Sequence, residues 1–385
     1  MSCPPARPVR AALVVFDSEG RLASTMPHHD SLDHSTTLIG FAQARYAGVD
    51  THTDTHHAAI IDGMGRRLAD AEFVTTLAGY QALLDWLLAH GTPARIGIEG
   101  TGSYGAGLTR VLTAAGLAVF EVDCPDRAAR RHRGKSDPED AYNAATAVAS
   151  GWATALPRAR TGCVEAIRAI RVARRSAVKA RTQTANQIHA LLVTAPDELR
   201  DEVRGWSLPR LVARFDQQPI DVDPADPVTG LTYALTALTR RWQHLSDEVA
   251  DHDRHLGHLA RIAAPHLLKL FGVGFDVATQ LLVTAGNNPA RMRGEAALAH
   301  LCGVAPLPAS SGRTDRHRRN RGGDRQANKA IYIVVMSRLR HDPETRAYAQ
   351  RRKAQGLSTK EIMRCLKRHV VRQLYKALIA DLQTA

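Results

Sequence analysis

The sequence predicts an α/β fold followed by long helices and a mainly helical C-terminal region, and three observations carry that expectation. Strand-like runs crowd the segment from Tyr46 to Thr76 before any helical period appears. Strands and helices then alternate as far as Val122. From about Cys163 the apolar residues recur at steps of three and four over stretches much longer than a strand.

Taken in order, YAGVD (46–50), HHAAIID (56–62) and RLADAEFVTT (67–76) read as three strands, with Gly63 and Gly65 supplying the turn between the last two. Leu77, Leu83, Leu84, Leu87 and Leu88 place a helix over Leu77 to His90. ARIGIE (94–99) follows as a strand, then a helix near Leu108 to Ala115 and the strand LAVFEV (117–122). After Lys135 another helix is marked by Asp137 as a cap, Pro138 at the first helical position and Asp140 in the first turn. A three-stranded meander that runs into alternating helices and strands is the order of an RNase H-like fold, where an antiparallel half joins a parallel half covered by helices. A doubly wound nucleotide-binding fold would begin βαβ instead.

Residues 1–44 mix Pro4, Pro5, Pro8 and Pro27 with polar stretches and read as a loosely ordered extension. The α/β domain is expected over 45–160 and a connection of long helices over 161–263. Its helices run from about Cys163 to Ala195, ended by Pro196, and from about Leu231 to Ala263, ended by Pro265. In the second, Leu231, Leu235, Leu238, Trp242, Leu245, Val249, His252, Leu256 and Leu259 form a seam broken only by the histidine, which predicts a coiled coil within the chain or between subunits. Arg168, Arg171, Arg174, Arg175, Lys179 and Arg181 give the first helix a basic flank. A mainly α C-terminal domain is expected over 264–385, with a helix-hairpin-helix-like element around the glycines between Phe271 and Phe275.

A chain of 385 residues suits two or three domains. Hydrophobic residues make up 44%, which excludes a disordered or fibrous protein. No stretch approaches the roughly 20 apolar residues of a membrane helix, and the run Ala11 to Phe16 is too short for a signal-peptide core, so a cytoplasmic protein is expected. Fifty-one basic against 38 acidic residues give a net charge of +13, which favours a polyanionic partner such as DNA or RNA. Cys3, Cys124, Cys163, Cys302 and Cys365 lie far apart without a CxxC pair and support neither a disulfide framework nor a thiolate zinc site.

Four acids come from separated segments of the predicted sheet. Asp50 ends the first strand, Glu99 ends ARIGIE ahead of the glycine-rich GTGSYG turn, and Asp137 and Asp140 share the first turn of a helix. Clustered carboxylates repel one another unless cations neutralise them, and hard oxygen ligands select Mg²⁺ or Mn²⁺, which suit phosphodiester chemistry. His52, Asp54, His56 and His57 alternate as the polar side of a strand does and are assigned no role. Gly272 and Gly274, within LFGVGFDVATQLL, offer backbone N–H groups suited to a phosphate, or a plain structural turn. In the segment from Ser310 to Lys329, read as a loop, Arg313, Arg316, Arg318, Arg319, Arg321, Arg325 and Lys329 face only Asp315 and Asp324, an excess that favours contact with nucleic-acid phosphates. Ser311, before Gly312 in that cation-rich turn, has the chemistry of a nucleophile, although serines before glycine are common turn residues.

VDTHTDTHHAAIID, IEGTGSYG, GKSDPEDAYNAA, GVGFDVATQLL and CGVAPLPASSGRTDRHRRNRGGDRQANKA occur in this order. Together they closely resemble the DEDD transposases of the insertion-sequence 110 family, over most of the chain from about Arg45. The resemblance implies a RuvC-like N-terminal domain with Asp50, Glu99, Asp137 and Asp140 as metal ligands, a coiled-coil connection, and a C-terminal transposase domain supplying a catalytic serine. Ser311 matches that serine, with Ser310 nearly as good a fit. It further implies site-specific recombination of donor and target DNA, guided by a structured bridge RNA, and a homo-oligomer, dimer or tetramer, whose active site combines the acids of one subunit with the serine of another. Three other readings compete. A Holliday-junction-type nuclease would use activated water and no serine. An actin-like ATPase also places an Asp after its first strand, and a non-enzymatic DNA-binding protein would need none of the acids.

Overall fold

The computed structural model of the protein describes residues 43–122, 136–216, 221–223, 225–310, 312 and 317–384. All but the last two residues of the expected N-terminal extension lie outside the described residues, as do Cys3 and Cys124. Cys163, Cys302 and Cys365 are free thiols.

Five strands form one mixed sheet: β1 (Arg45–Thr51), β2 (Thr55–Asp62), β3 (Arg67–Val74), β4 (Arg95–Glu99) and β5 (Val119–Val122). Their spatial order is β3-β2-β1-β4-β5. The first three pair antiparallel, while β1–β4 and β4–β5 are parallel. This is the strand order and sense of an RNase H-like sheet. The edge strand β3 alternates exposed and half-buried residues, as an edge facing water on one side should. The central strand β1 is buried over its last five residues.

Alternation along the strands separates the two faces. Ala47, Val49, Ile96 and Ile98 point to one side, where they pack with Leu83, Leu87, Leu108 and Leu112 of α1 (Leu77–Ala89) and α2 (Ala106–Ala114). Thr76 caps α1 by accepting the Gly79 N–H. The intervening positions face α3 (Asp137–Ala149), whose Ala141, Ala144, Ala145 and Val148 are all buried.

Beyond the sheet the chain is almost entirely helical. Two long helices, α4 (Gly162–Val193) and α7 (Pro227–Ala263), pack along each other within the chain. At one end the short helices α5 (Asp197–Glu202) and α6 (Leu208–Phe215) close a small core of Ile188, Leu192, Leu211, Phe215 and Leu235. At the other end Val164, Ile167, Leu256 and Ala263 enter the C-terminal core. Within the expected seam, Leu235, Val249 and Leu256 are buried and His252 is half-buried beside Glu248.

Half of the basic flank of α4 is turned inward. Arg168 pairs with Glu165, and Arg174 with Asp253 and Asp276. The Arg171 guanidinium donates to the Asp276 carboxylate, Thr279 Oγ1 and Gln280 Oε1 on α9 (Phe275–Ala285). Arg171 and Arg174 thus tie α4 to α9 and α7, while Arg168 pairs within α4.

The C-terminal core is built from a single turn α8 (Pro265–Leu268), α9, α10 (Glu295–Leu301), a short hairpin of β6 (Pro306–Pro308) and β7 (His317–Arg319), and the helices α11 (Arg325–His341), α12 (Pro343–Ala354) and α13 (Thr359–Thr384). Asp381 of α13 is fully buried and accepts the backbone N–H groups of His266 and Leu267 at the start of α8. The expected arginine loop is in part regular structure. Leu307 pairs with Arg318 in the hairpin, and Asp324 starts α11 by accepting the Gln326 and Ala327 N–H groups. Arg318 and Arg319 are therefore strand residues, and Arg325 and Lys329 helical ones.

Candidate active site

The position of α3 is set by two glycines. A Cβ on Gly48 would lie 2.1 Å from the Ala141 carbonyl oxygen and 2.2 Å from the Ala145 nitrogen, and one on Gly97 2.5 Å from the Ala144 oxygen. Only residues without side chains admit the helix at that distance. Asp50 stands two residues beyond Gly48 and Glu99 two beyond Gly97, so by alternation both belong to the α3 face. The pairing Val49↔Ile98 puts Asp50 and Glu99 side by side at the ends of adjacent parallel strands. The first turn of α3 brings Asp137 and Asp140 to the same end, where the positive end of the helix dipole favours carboxylates.

Other contacts hold α3 in register. Nη1 and Nη2 of the Arg67 guanidinium donate to Glu139, at 2.6 and 2.7 Å, and the same group lies 4.3 Å over the Tyr142 ring. The Tyr142 hydroxyl donates to Asp70 at 2.9 Å, and burial together with that carboxylate pushes it up to about 12. Glu139, although in the same turn as the other two acids, is thereby turned toward β3.

At the strand end, Asp50 is 5% exposed and Asp140 3%. His52 Nε2 lies 3.0 Å from Asp50 Oδ2 and 3.3 Å from Asp137 Oδ1. One ligand atom from each of Asp50, His52 and Asp137 falls within 4.8 Å of the others. Burial pushes the Asp50 carboxyl above its ordinary value; His52 draws it down, and the carboxylates of Asp140 and Asp137 push it up again. A buried carboxylate beside like charges is a group that a cation stabilises. Two carboxylates with an imidazole nitrogen between them could hold a divalent ion, and Asp140 and Glu99 stand at the same end of the sheet. Thr51 Oγ1 donates to the Glu99 carbonyl at 2.8 Å, and Gly100, with φ +70°, turns the chain immediately after Glu99.

The site thus gathers Asp50 and Asp137, places Asp140 within their electrostatic reach, and sets Glu99 on the adjoining strand. His52, to which the sequence reading gave no role, stands between two of the acids. A histidine two residues beyond a strand-ending Asp was the available signal. His56 is a core residue, fully buried and stacked on Tyr80 with ring centroids 5.5 Å apart.

Ser311, Arg313 and Arg316 lie outside the described residues. Ser310 is exposed and follows β6 on the C-terminal core, a different core from the one beneath the acids. Arg318, Arg321, Arg325 and Lys329 are exposed and pair with no acid among the described residues. Gly272 has φ +82°, and a Cβ there would lie 3.3 Å from the Val334 carbonyl oxygen of α11, whereas Gly274 faces open space.

The structure is thus a five-stranded sheet of RNase H-like order with Asp50, His52 and Asp137 brought together at the end of its central strand. A DEDD-type family model described as a transposase matches residues 47–195, and the model of the IS116/IS110/IS902 transposase family matches residues 264–350. The chain is 36% identical over 158 residues to the mini-circle putative transposase for IS117 of Streptomyces coelicolor, a stretch covering 38% of this chain and 37% of that protein. It is 33% identical over 117 residues to an uncharacterized 43.6 kDa protein of insertion element IS110 from the same organism, covering 30% and 28%. With an uncharacterized 42 kDa protein of IS900 from Mycobacterium paratuberculosis it shares 27% over 157 residues, 39% of each. The matched stretches span well under half the length of these relatives. With its two segments matching the two domains of one family in order, the chain belongs to the IS110 family of transposases.

Proposed function

We propose that the protein is a DNA transposase, a recombinase that cuts and rejoins phosphodiester bonds with the acids of the sheet and a serine of the C-terminal domain. The observation that carries this reading is the meeting of Asp50 and Asp137 on the α3 face, with Asp140 and Glu99 at the same end. Asp50, Glu99, Asp137 and Asp140 would hold a divalent cation, Mg²⁺ or Mn²⁺, with His52 beside them. Bound there, the ion supplies positive charge to the scissile phosphate and its leaving oxygen.

This chain's own groups do the rest. The rigid α3–sheet junction fixes the carboxylates, so that little reorganisation accompanies the reaction. Ser311, or Ser310 beside it, attacks phosphorus through its Oγ. A phosphoserine ester forms as one strand bond breaks and the leaving sugar oxygen takes a proton. Attack by a sugar hydroxyl of the second DNA then releases the serine and makes the new strand junction. As the family resemblance implies, the complete site belongs to a homo-oligomer, with acids of one subunit facing the serine of another. A structured RNA paired to donor and target DNA selects the sequences, while exposed cations such as Arg318, Arg321, Arg325 and Lys329 hold backbones. Among the described residues no helix is long and apolar enough to cross a membrane; with DNA as its substrate, the protein works in the prokaryotic cytoplasm.

The test is an adduct assay. RNA that co-purifies with the protein is sequenced, and donor and target DNA are incubated with the complex and Mg²⁺. The expected result is a covalent protein–DNA species that Ser311→Ala or Ser310→Ala removes and that Asp50→Asn prevents. Hydrolysed ends without an adduct would support the water-activated nuclease instead.

A further inference from the structure

The C-terminal core carries a groove of which the reading above uses only Arg318. Its volume is about 1180 Å³, and it runs between the β6–β7 hairpin, α11, α12 and one face of α13. That exceeds the roughly 300–1,000 Å³ typical of small-molecule pockets and suits a stretch of polymer.

The wall formed by α13 is a cationic stripe. Lys360, Arg364, Arg368 and Arg372 recur every four residues along it, so they stand one above another over about 18 Å. Like charges at that spacing destabilise a helix unless something else neutralises them. The protein does so only in part. Glu295 serves both Arg368 and Arg372, and Glu361 is 3.8 Å from Arg364. Lys360 has no acidic partner among the described residues. Burial and the neighbouring Arg372 pull Arg368 below its usual range.

On the opposite wall Arg318 of β7 adds another exposed cation, and Tyr332 of α11 is 41% exposed with the Lys367 ammonium 5.2 Å from its ring centre. Cations along a groove with an open aromatic ring beside them are the elements of a single-strand site: phosphates meet the cations, and a base stacks on the ring.

We propose that this groove binds an unpaired stretch of nucleic acid, its phosphates along Lys360, Arg364 and Arg318 and a base on Tyr332. The inference rests on the reading of the chain as a nucleic-acid recombinase but not on its chemistry, because the groove is separate from the carboxylates. An unpaired strand exists on both substrates such a protein would handle, an opened DNA target and the loops of a structured RNA.

The experiment measures binding of the full-length protein to short fluorescein-labelled oligothymidylate, the matching oligouridylate and a duplex of equal length, in EDTA so that failure of the metal site cannot affect it. For Lys360→Gln/Arg364→Gln the expected result is at least about tenfold weaker binding of single strands, with the log–log salt slope smaller by about 1.4. Tyr332→Leu is expected to weaken single strands several-fold and leave the duplex unchanged. Tighter binding of the uridylate would assign the groove to RNA, and tighter binding of the thymidylate to DNA; both support it. A loss of duplex binding in Lys360→Gln/Arg364→Gln equal to the loss of single-strand binding overturns the proposal, as does an equal loss in the control Arg200→Gln/Arg254→Gln. Acetylation of Lys360 in the unaltered protein gives a readout independent of variant folding. The oligonucleotide is expected to shield it, and labelling at the same rate with and without oligonucleotide would overturn the assignment.

Discussion

The two faces of the five-stranded sheet are made from alternate residues of the same strands, yet they are built for opposite ends. Toward α1 and α2 the strands present Ala47, Val49, Ile96 and Ile98, and leucines fill the space between. Toward α3 they present Gly48 and Gly97, and the helix answers with Ala141, Ala144 and Ala145. The first face stores stability in buried apolar area. The second gives up side-chain volume to bring a helix N-terminus within reach of the strand ends, and the acids follow from that approach. A core of ordinary thickness on both sides would leave Asp137 too far from Asp50 for both to reach His52.

Substitutions that separate the two faces sharpen this contrast. The largest effect is expected from Asp50→Asn, which should lower strand-transfer activity by on the order of 10²–10³-fold, measured as recombinant product formed with Mg²⁺ present. On the apolar face, Leu108→Ala should cost about 2–5 kcal/mol in denaturant unfolding while leaving cation binding per folded molecule unchanged. On the other face Gly48→Ala should cost less, about 1–3 kcal/mol, but weaken cation binding markedly, because the added carbon meets backbone of α3 and the helix must move. Leu108→Ala weakening the cation site as much as Gly48→Ala would break the comparison. Arg67→Ala removes the bidentate contact to Glu139 from a half-exposed site and is expected to cost about 1 kcal/mol or less, seen as a small fall in Tm.

Two aspartates at the ends of neighbouring strands supply the smallest effects, of opposite sign. At the end of β2, Asp62 accepts the Arg66 N–H and, with the Met64 N–H and the Arg66 guanidinium, is held below the ordinary carboxylate range. Its contribution is therefore present above the unfolded value of about 3.9 and is lost as pH falls through the lower folded value. Asp62→Asn should shrink the acid-side loss of stability. At the end of β1, Asp50 is raised, chiefly by burial, so its ionised form opposes folding above the folded value. Asp50→Asn should then raise the Tm of the metal-free protein at neutral pH even as it lowers activity. A fall in Tm would show that His52 already compensates the charge.

Much of the sheet was legible because its signals are local: the meander, the glycine turns and the start of α3 at Asp137 and Pro138 each lie within a few residues. The placement of Asp50 and Glu99 at strand ends and of Asp137 and Asp140 in a first helical turn was legible for the same reason. The packing that brings Asp50 and Asp137 together was not. Gly48 and Gly97 look like ordinary strand residues until the helix that needs them is placed, and His52 looks solvent-facing until Asp137 arrives from 85 positions along the chain. The ion pairs within the basic flank of α4 were hidden for a similar reason: the partners of Arg171 and Arg174, Asp276 and Asp253, are distant in sequence. The arginine segment read as loop because the pairing of Leu307 with Arg318 leaves no periodic trace in three-residue strands.

Titration of the purified protein with Mn²⁺, followed by calorimetry, tests the shared carboxylate site most directly. Wild type is expected to bind at that site, and Asp50→Asn and Asp137→Asn, acting from different elements, should each abolish the same binding event. If Asp137→Asn bound Mn²⁺ with wild-type affinity and heat, the strand and the helix would not share an ion, and the account of the α3 face would be wrong.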